Sequence, residues 1–158
     1  MDKSECQKIV DENLRHLARA LGLWDWGVDI EYGPISGSSD DFAVIGQCNP
    51  RIKYKQAHIN LDNNLIESEE KLLEVLTHEL IHIFHAGYLI CWETCDELLT
   101  PNERAAITPS IRFGHESTVL CVETMLRTMK MTPQKMIEFA KNEYGDLYIL
   151  RRENPYQF

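Results

Sequence analysis

Positions 78–82 of this 158-residue chain read His-Glu-Leu-Ile-His. Histidines four apart on a helix stand one turn apart on one face. Both imidazoles can then meet one ion at about 2.0–2.1 Å, the zinc–nitrogen bond length. Glu79 lies about 100° round the helix from His78 by the 3.6-residue period. That sets its carboxylate beside the ion, in reach of a water molecule there rather than of the ion itself. The pattern points to hydrolysis, with His78 and His82 as zinc ligands and Glu79 as general base. Three fixed residues within five arise by accident in a chain of this length with odds on the order of one per cent. The bland alternative is a solvated helix face that carries histidines by chance. Against it stand Leu72, Leu73, Leu76, Leu80, Ile83 and Phe84, apolar residues at helical spacing on the other side. They would anchor the helix in a core and turn His78, His82 and His85 toward a cleft.

Two nitrogens leave an open zinc site one protein ligand short. The extended pattern that adds a third histidine needs glycine at position 85 and histidine at position 88. The chain has His85 and Tyr88, so that pattern is excluded. A glutamate on a later helix is the other common solution. Glu116 and Glu123 both fall on a segment with an apolar stripe of Val119, Val122, Leu126 and Met129. Glu116, at the start of that stripe, is preferred; Glu123 and His115 remain alternatives. Tyr88, His85 and His115 are the candidates for an oxyanion donor.

The elements that must position these groups follow from periodicity and punctuation. Ile9, Val10, Leu14, Leu17, Ala18 and Leu21 mark a helix over residues 2–21, closed by Gly22. Trp26, Val28, Ile30 and Tyr32 alternate with glycine and acids, a strand with one buried face. Residues 42–48 read as a second strand, ended by Asn49-Pro50, and residues 51–61 hold a third. Asp62-Asn63-Asn64 is a turn. Ser68, followed by Glu69 and Glu70, caps a long helix from about Glu69 to Ala86, which Gly87 stops. Residues 88–112 read as an irregular insertion, with Pro101 and Pro109 as breakers. A helix from about His115 to Met131 and a short one from Pro133 to about Tyr144 follow, and residues 151–158 read as a fraying tail. One α+β domain over residues 1–158 is expected, with a small three-stranded mixed or antiparallel sheet.

Composition narrows the function classes. With 25 acidic and 16 basic residues the formal charge is −9, which disfavours nucleic acid and anionic membrane surfaces. No apolar run approaches the roughly 20 residues of a membrane span. The first residues are charged and lack a signal-peptide core, and five cysteines do not form a disulfide framework. A cytoplasmic location is expected, in a bacterium or a phage-infected host cell. Cys91 and Cys95 lack two further soft ligands nearby, so free thiols are expected rather than a second zinc site. His58 reads as packed or solvated, His16 as a surface residue, and Trp24, Trp26 and Trp92 as packing groups.

Taken together, the leading helix, Leu23-Trp24-Asp25-Trp26, Ile59-Asn60-Leu61, Leu76-Thr77-His78-Glu79-Leu80-Ile81-His82 and Glu116-Ser117-Thr118-Val119 resemble the small zinc metallopeptidases of phage and prophage genomes, close to the minimal gluzincin type. The resemblance spans most of residues 10–130, and only the five-residue motif is sharply specific. It implies a zincin-like fold, zinc held by His78, His82 and a helical glutamate, Glu79 as base, and a peptide or protein substrate laid along a sheet edge. The strand ending near Leu61 is the expected edge. A second resemblance is to SprT-like proteases, whose third ligand is a histidine after a glycine; Gly114-His115 echoes it, while the acidic charge argues against their DNA partner. A zinc-binding interaction module without turnover, and a zinc hydrolase of a non-peptide bond, are the competing readings.

Overall fold

A computed structural model describes residues 1–35, 44–86 and 100–153, with the side chains of residues 103–113 and 144–153 outside the description. Helix α1, Lys3–Ala20, begins at Asp2, whose carboxylate accepts a hydrogen bond from the Ser4 amide. It ends as expected at Gly22, in the left-handed region at φ 73°. There the Leu23 amide reaches back to the Ala18 carbonyl and the Gly22 amide to that of Arg19, satisfying carbonyls that the helix end would orphan.

The alternation around Trp26 gives strand β1, Gly27–Tyr32. Strand β2, Gly46–Arg51, and β3, Gln56–Leu61, complete a three-stranded sheet in the order β1-β3-β2. β1 runs parallel to β3 and β2 antiparallel to it, so the sheet is mixed. Register places Ile30 and Cys48 either side of Ile59, and Tyr32 and Gly46 either side of Leu61. One face is therefore apolar and covered; the other carries Asp29, Glu31, His58, Asn60, Gln47 and Asn49.

Two sequence expectations are corrected here. β2 is not ended by Asn49-Pro50 but runs on through Pro50 to Arg51, and a short 3₁₀ turn, Ile52–Tyr54, precedes β3. The Asp62 amide donates to the Ile45 carbonyl, which makes residues 45, 47, 49 and 51 the bonded partners of β3. Pro50 thus points its missing N–H away from the sheet, the one arrangement a strand tolerates. The expected peptide-binding strand also changes. β3, which ends at Leu61, is central, with both edges paired. Among the described residues, the free edge on the side of the central helix is β2, where Gly46 and Cys48 direct their main-chain groups outward.

Ser68 starts the central helix α2, Glu69–Ala86, by accepting from the Lys71 amide, as its position suggested. Leu72, Leu73, Leu76, Leu80 and Ile83 are buried, whereas Phe84 in the last turn is exposed. α2 packs against β2, α1 and helix α3, Pro101–Thr128. α3 overturns the irregular reading of residues 101–112. Pro101 is its first residue, where a missing N–H has no partner to lose, and Pro109 is carried inside at the loss of one ladder bond. Thr132 caps the last helix, α4, by accepting from the Lys135 amide. α4 runs from Pro133 to Glu153, past the expected end near Tyr144 and through Gly145, so residues 151–153 are helical. Residues 36–43, 87–99 and 154–158, with Phe42, Gly87, Tyr88, Cys91, Trp92 and Cys95, lie outside the described residues.

The architecture is α+β, with four helices and one small mixed sheet among the described residues. The core joins Val10 and Leu17 of α1, Ile59 and Leu61 of β3, Leu72, Leu76 and Leu80 of α2, and Met136 and Ile137 of α4. Ile59, fully buried on the central strand, is its keystone. Ile59→Ala should cost about 2–5 kcal/mol of unfolding free energy, read as a lower denaturant midpoint at unchanged m-value; a shift near zero would contradict this packing.

Candidate metal centre

The four-residue spacing on α2 brings His78 Nε2 and His82 Nε2 to 3.1 Å from one another. Two ligands on a tetrahedral ion at zinc–nitrogen distances stand about 3.3 Å apart. A carboxylate oxygen of Glu116, from α3, lies 3.8 Å from His82 Nε2. Donor atoms of His78, His82 and Glu116 all fall within 4.8 Å of one another, a group that could hold a metal ion.

The outer nitrogens of the two rings are also taken up. His78 Nδ1 sits 3.0 Å from Glu123 Oε1. An ionised carboxylate only accepts, so His78 donates its Nδ1–H and its Nε2 is left with a bare lone pair. His82 Nδ1 meets His115 Nε2 at 2.7 Å, and His115 Nδ1 meets His85 Nδ1 at 2.6 Å. When His82 donates to His115, a second bare nitrogen faces the first across 3.1 Å. Two lone pairs pointed at each other are relieved by a cation between them, so the residues fit a metal on the chemistry of their donors. Burial, reinforced by His78, His115 and His85, lowers the His82 pKa to about 4, which keeps its lone pair available at neutral pH. His115 and His85 are lowered as well, first by burial.

The structure separates the three candidates for the third position. Glu116 joins the donor group, Glu123 holds a ligand ring from behind, and His115 has both nitrogens engaged by other histidines. Carboxylates behind ligand histidines fix tautomer and ring orientation. This role for Glu123, and that of His115 behind His82, escaped the sequence reading. The signal was present: Glu116, Val119 and Glu123 share one helical face, and Val119 is fully buried.

Glu79 is buried, with its carboxylate toward β2. Burial first, and then Glu116 and Glu123, raise its pKa to about 7, against the opposing pull of His78 and a hydrogen bond from the Cys48 amide. That amide is one of the outward-facing groups of the β2 edge. Room for the carboxylate exists only because residue 46 is glycine. A Cβ there would lie 2.5 Å from Glu79 Oε1 and 2.8 Å from Val75 Cγ1. A glycine inside a strand signals such a close approach, and this one went unused in the sequence reading.

The remaining polar groups separate from the site. His58 pairs with Glu31 at 3.2 Å on the open sheet face. His16 is half-buried rather than on the surface, its Nδ1 unpartnered and its pKa lowered by burial and by Lys141, Arg19 and Arg15. Trp26 packs against the core but Trp24 is exposed, contrary to its expected packing role. Cys6, Cys48 and Cys121 are free thiols, and burial, then Glu79, drives Cys48 up to about 12. No helix among the described residues is long and apolar enough to cross a membrane. Comparison with family models, characterised proteins and solved structures finds nothing that matches this chain.

Two outcomes follow from the packing of Glu79. Gly46→Ala should destabilise by about 1–3 kcal/mol through overpacking. Adding Val75→Ala should return part of that loss, so that a denaturant double-mutant cycle is non-additive; strict additivity would count against the contact. The second concerns the metal-free chain in chelator. A carboxyl held at about 7 when folded, against an ordinary 4.5, binds its proton more tightly in the folded state. It contributes stability fully present below pH 4.5 and lost as pH rises toward 7. Glu79→Gln removes that loss, so the variant should gain on the parent across this window in unfolding experiments; a gap independent of pH would refute the burial effect.

Proposed function

We propose that the chain is a zinc-dependent peptidase of zincin-like fold, with zinc held by His78, His82 and Glu116 and with Glu79 as general base. One observation carries the reading: a buried carboxylate, set beside a His-His-Glu donor group and against a free strand edge. A purely structural metal site has no use for that additional acid, which favours an enzyme over a silent binding module. When bound, zinc would supply Lewis acidity toward water and the scissile carbonyl.

The protein's own groups then do the following. Glu123 and His115 hold the two ligand rings with their Nε2 atoms converging. Glu79, with a pKa near 7, takes a proton from the attacking water and passes it to the leaving amine. The Gly46 main chain and the Cys48 carbonyl offer hydrogen bonds to an extended peptide, which would add as a further strand beside β2. Their alternation with bonded residues gives such a peptide a fixed register relative to Glu79.

Metal analysis and proteolysis of a denatured protein substrate test the assignment together. Glu79→Gln should keep the metal and lose at least about 100-fold in hydrolysis; intact activity would remove its role. His78→Ala should lose the metal, and Glu116→Ala should weaken it more than His115→Ala does. Glu123→Gln should lower metal affinity about 10–100-fold. A metal-replete His78→Ala protein, or His115→Ala as the more damaging change, would overturn the ligand set.

A further inference from the structure

A cleft of about 480 Å³ opens at His78 and Glu79 and extends to the turn between α3 and α4. Ile45, Val75, Leu126, Met131 and Met136 give it an apolar lining. Its charged lining consists of Lys71, Arg127 and Lys130 against Glu74, Glu79 and Glu123. Lys71 is paired with Glu74 at 3.6 Å, and Glu123 is engaged by His78. Arg127 and Lys130 are thus the lining cations that form no ion pair among the described residues, in a chain of net charge −9.

Their placement is regular. Glu116, Val119, Glu123 and Arg127 follow one another at intervals of three or four, so a single face of α3 runs from the metal donor to Arg127, and Lys130 lies two residues past the helix end. Lys130 follows in a conformation that favours glycine. Its φ is 55°, and the Met131 amide bonds the Leu126 carbonyl while the Lys130 amide bonds that of Arg127. This is the helix end at which glycine usually occupies the left-handed position. A lysine there carries strain of about 1 kcal/mol or more, and strain of this kind clusters at functional sites.

We propose that Arg127 and Lys130 bind a carboxylate of the substrate, which makes the preferred substrate an acidic peptide. The inference rests on the peptidase reading above and names its substrate class. The apolar lining accepts the methylenes that carry such a group. Three lining cations against three lining acids leave the lining without net charge, so the two cations suit a monoanion rather than a phosphate dianion. The carboxylate comes either from an Asp or Glu side chain or from a peptide C-terminus, and both have the same chemistry at these cations.

The test is binding, read by fluorescence anisotropy on the zinc-loaded Glu79→Gln chain. The probes are short amidated peptides that differ only in Glu against Gln at one scanned position, and the Gln peptides with a free C-terminus. A charged probe should bind on the order of five- to tenfold more tightly than its neutral partner at low ionic strength, with the preference shrinking in high salt. The double variant R127Q/K130G should erase the preference and leave the neutral peptides unaffected. Lys130→Gly relieves the left-handed strain, so this variant should be no less stable, as thermal unfolding will report. Preference for the Glu probes assigns the side chain, and preference for the free C-terminus assigns the terminal carboxylate. Equal affinities, no measurable binding, or a preference that survives R127Q/K130G would each overturn the proposal. A charge preference in a parent chain that cleaves none of the peptides would sink the peptidase reading alone; cleavage without charge preference would sink the carboxylate site alone.

Discussion

Two imidazole nitrogens, His78 Nε2 and His82 Nε2, are held 3.1 Å apart on consecutive turns of α2, and the organisation of the site depends on that approach. Neither ring is free to swing away. Glu123 grips one by its outer nitrogen and His115 the other, and both belong to α3. α3 must therefore dock on α2 in one register, and the fully buried Val119 pins it between Glu116 and Glu123. The same docking that satisfies the outer nitrogens delivers the third donor. Ring orientation and ligand supply are thus one packing event.

The sheet contributes through its edge rather than through side chains. Gly46 lets β2 come close enough to α2 for the Glu79 carboxylate to lie against the strand, and the Cys48 amide meets that carboxylate. Burial there has a chemical consequence. A solvated glutamate titrates near 4.5, while this one stands at about 7, where it can take up and release a proton in neutral solution. The strand edge that admits the base is also one that no described strand covers, so substrate alignment and proton transfer share one location in the proposed mechanism.

α3 joins this centre to the cleft beyond it. Its one face carries Glu116, then Val119, then Glu123 and then Arg127, and Lys130 follows just past the helix end. Lys130 closes the helix in a backbone conformation that glycine would adopt without strain. Burial of the neighbouring Met136 and Ile137 fixes α4 beyond the turn, so the cations stand at a defined place.

The features legible from sequence alone are those set by local geometry. The i, i+4 histidines, the Ser68 cap, the Gly22 stop and the alternation of Val28, Ile30 and Tyr32 depend on helix pitch, on a nearby hydrogen bond or on the pleat. Each acts over a few residues, so each could be read before any fold was known. Strand order, the central place of β3, and the division of labour among Glu116, Glu123 and His115 depend on contacts between segments tens of residues apart. The sequence offered three candidate third ligands because all three fall within about two turns of one helix; only the packing of α3 on α2 decided which faces the histidine nitrogens and which stands behind them. Pro101 and Pro109 misled for a related reason. Their local preference against helix is real, but at Pro101 the missing N–H had no helical partner to lose, and at Pro109 the helix continues on both sides despite one lost bond.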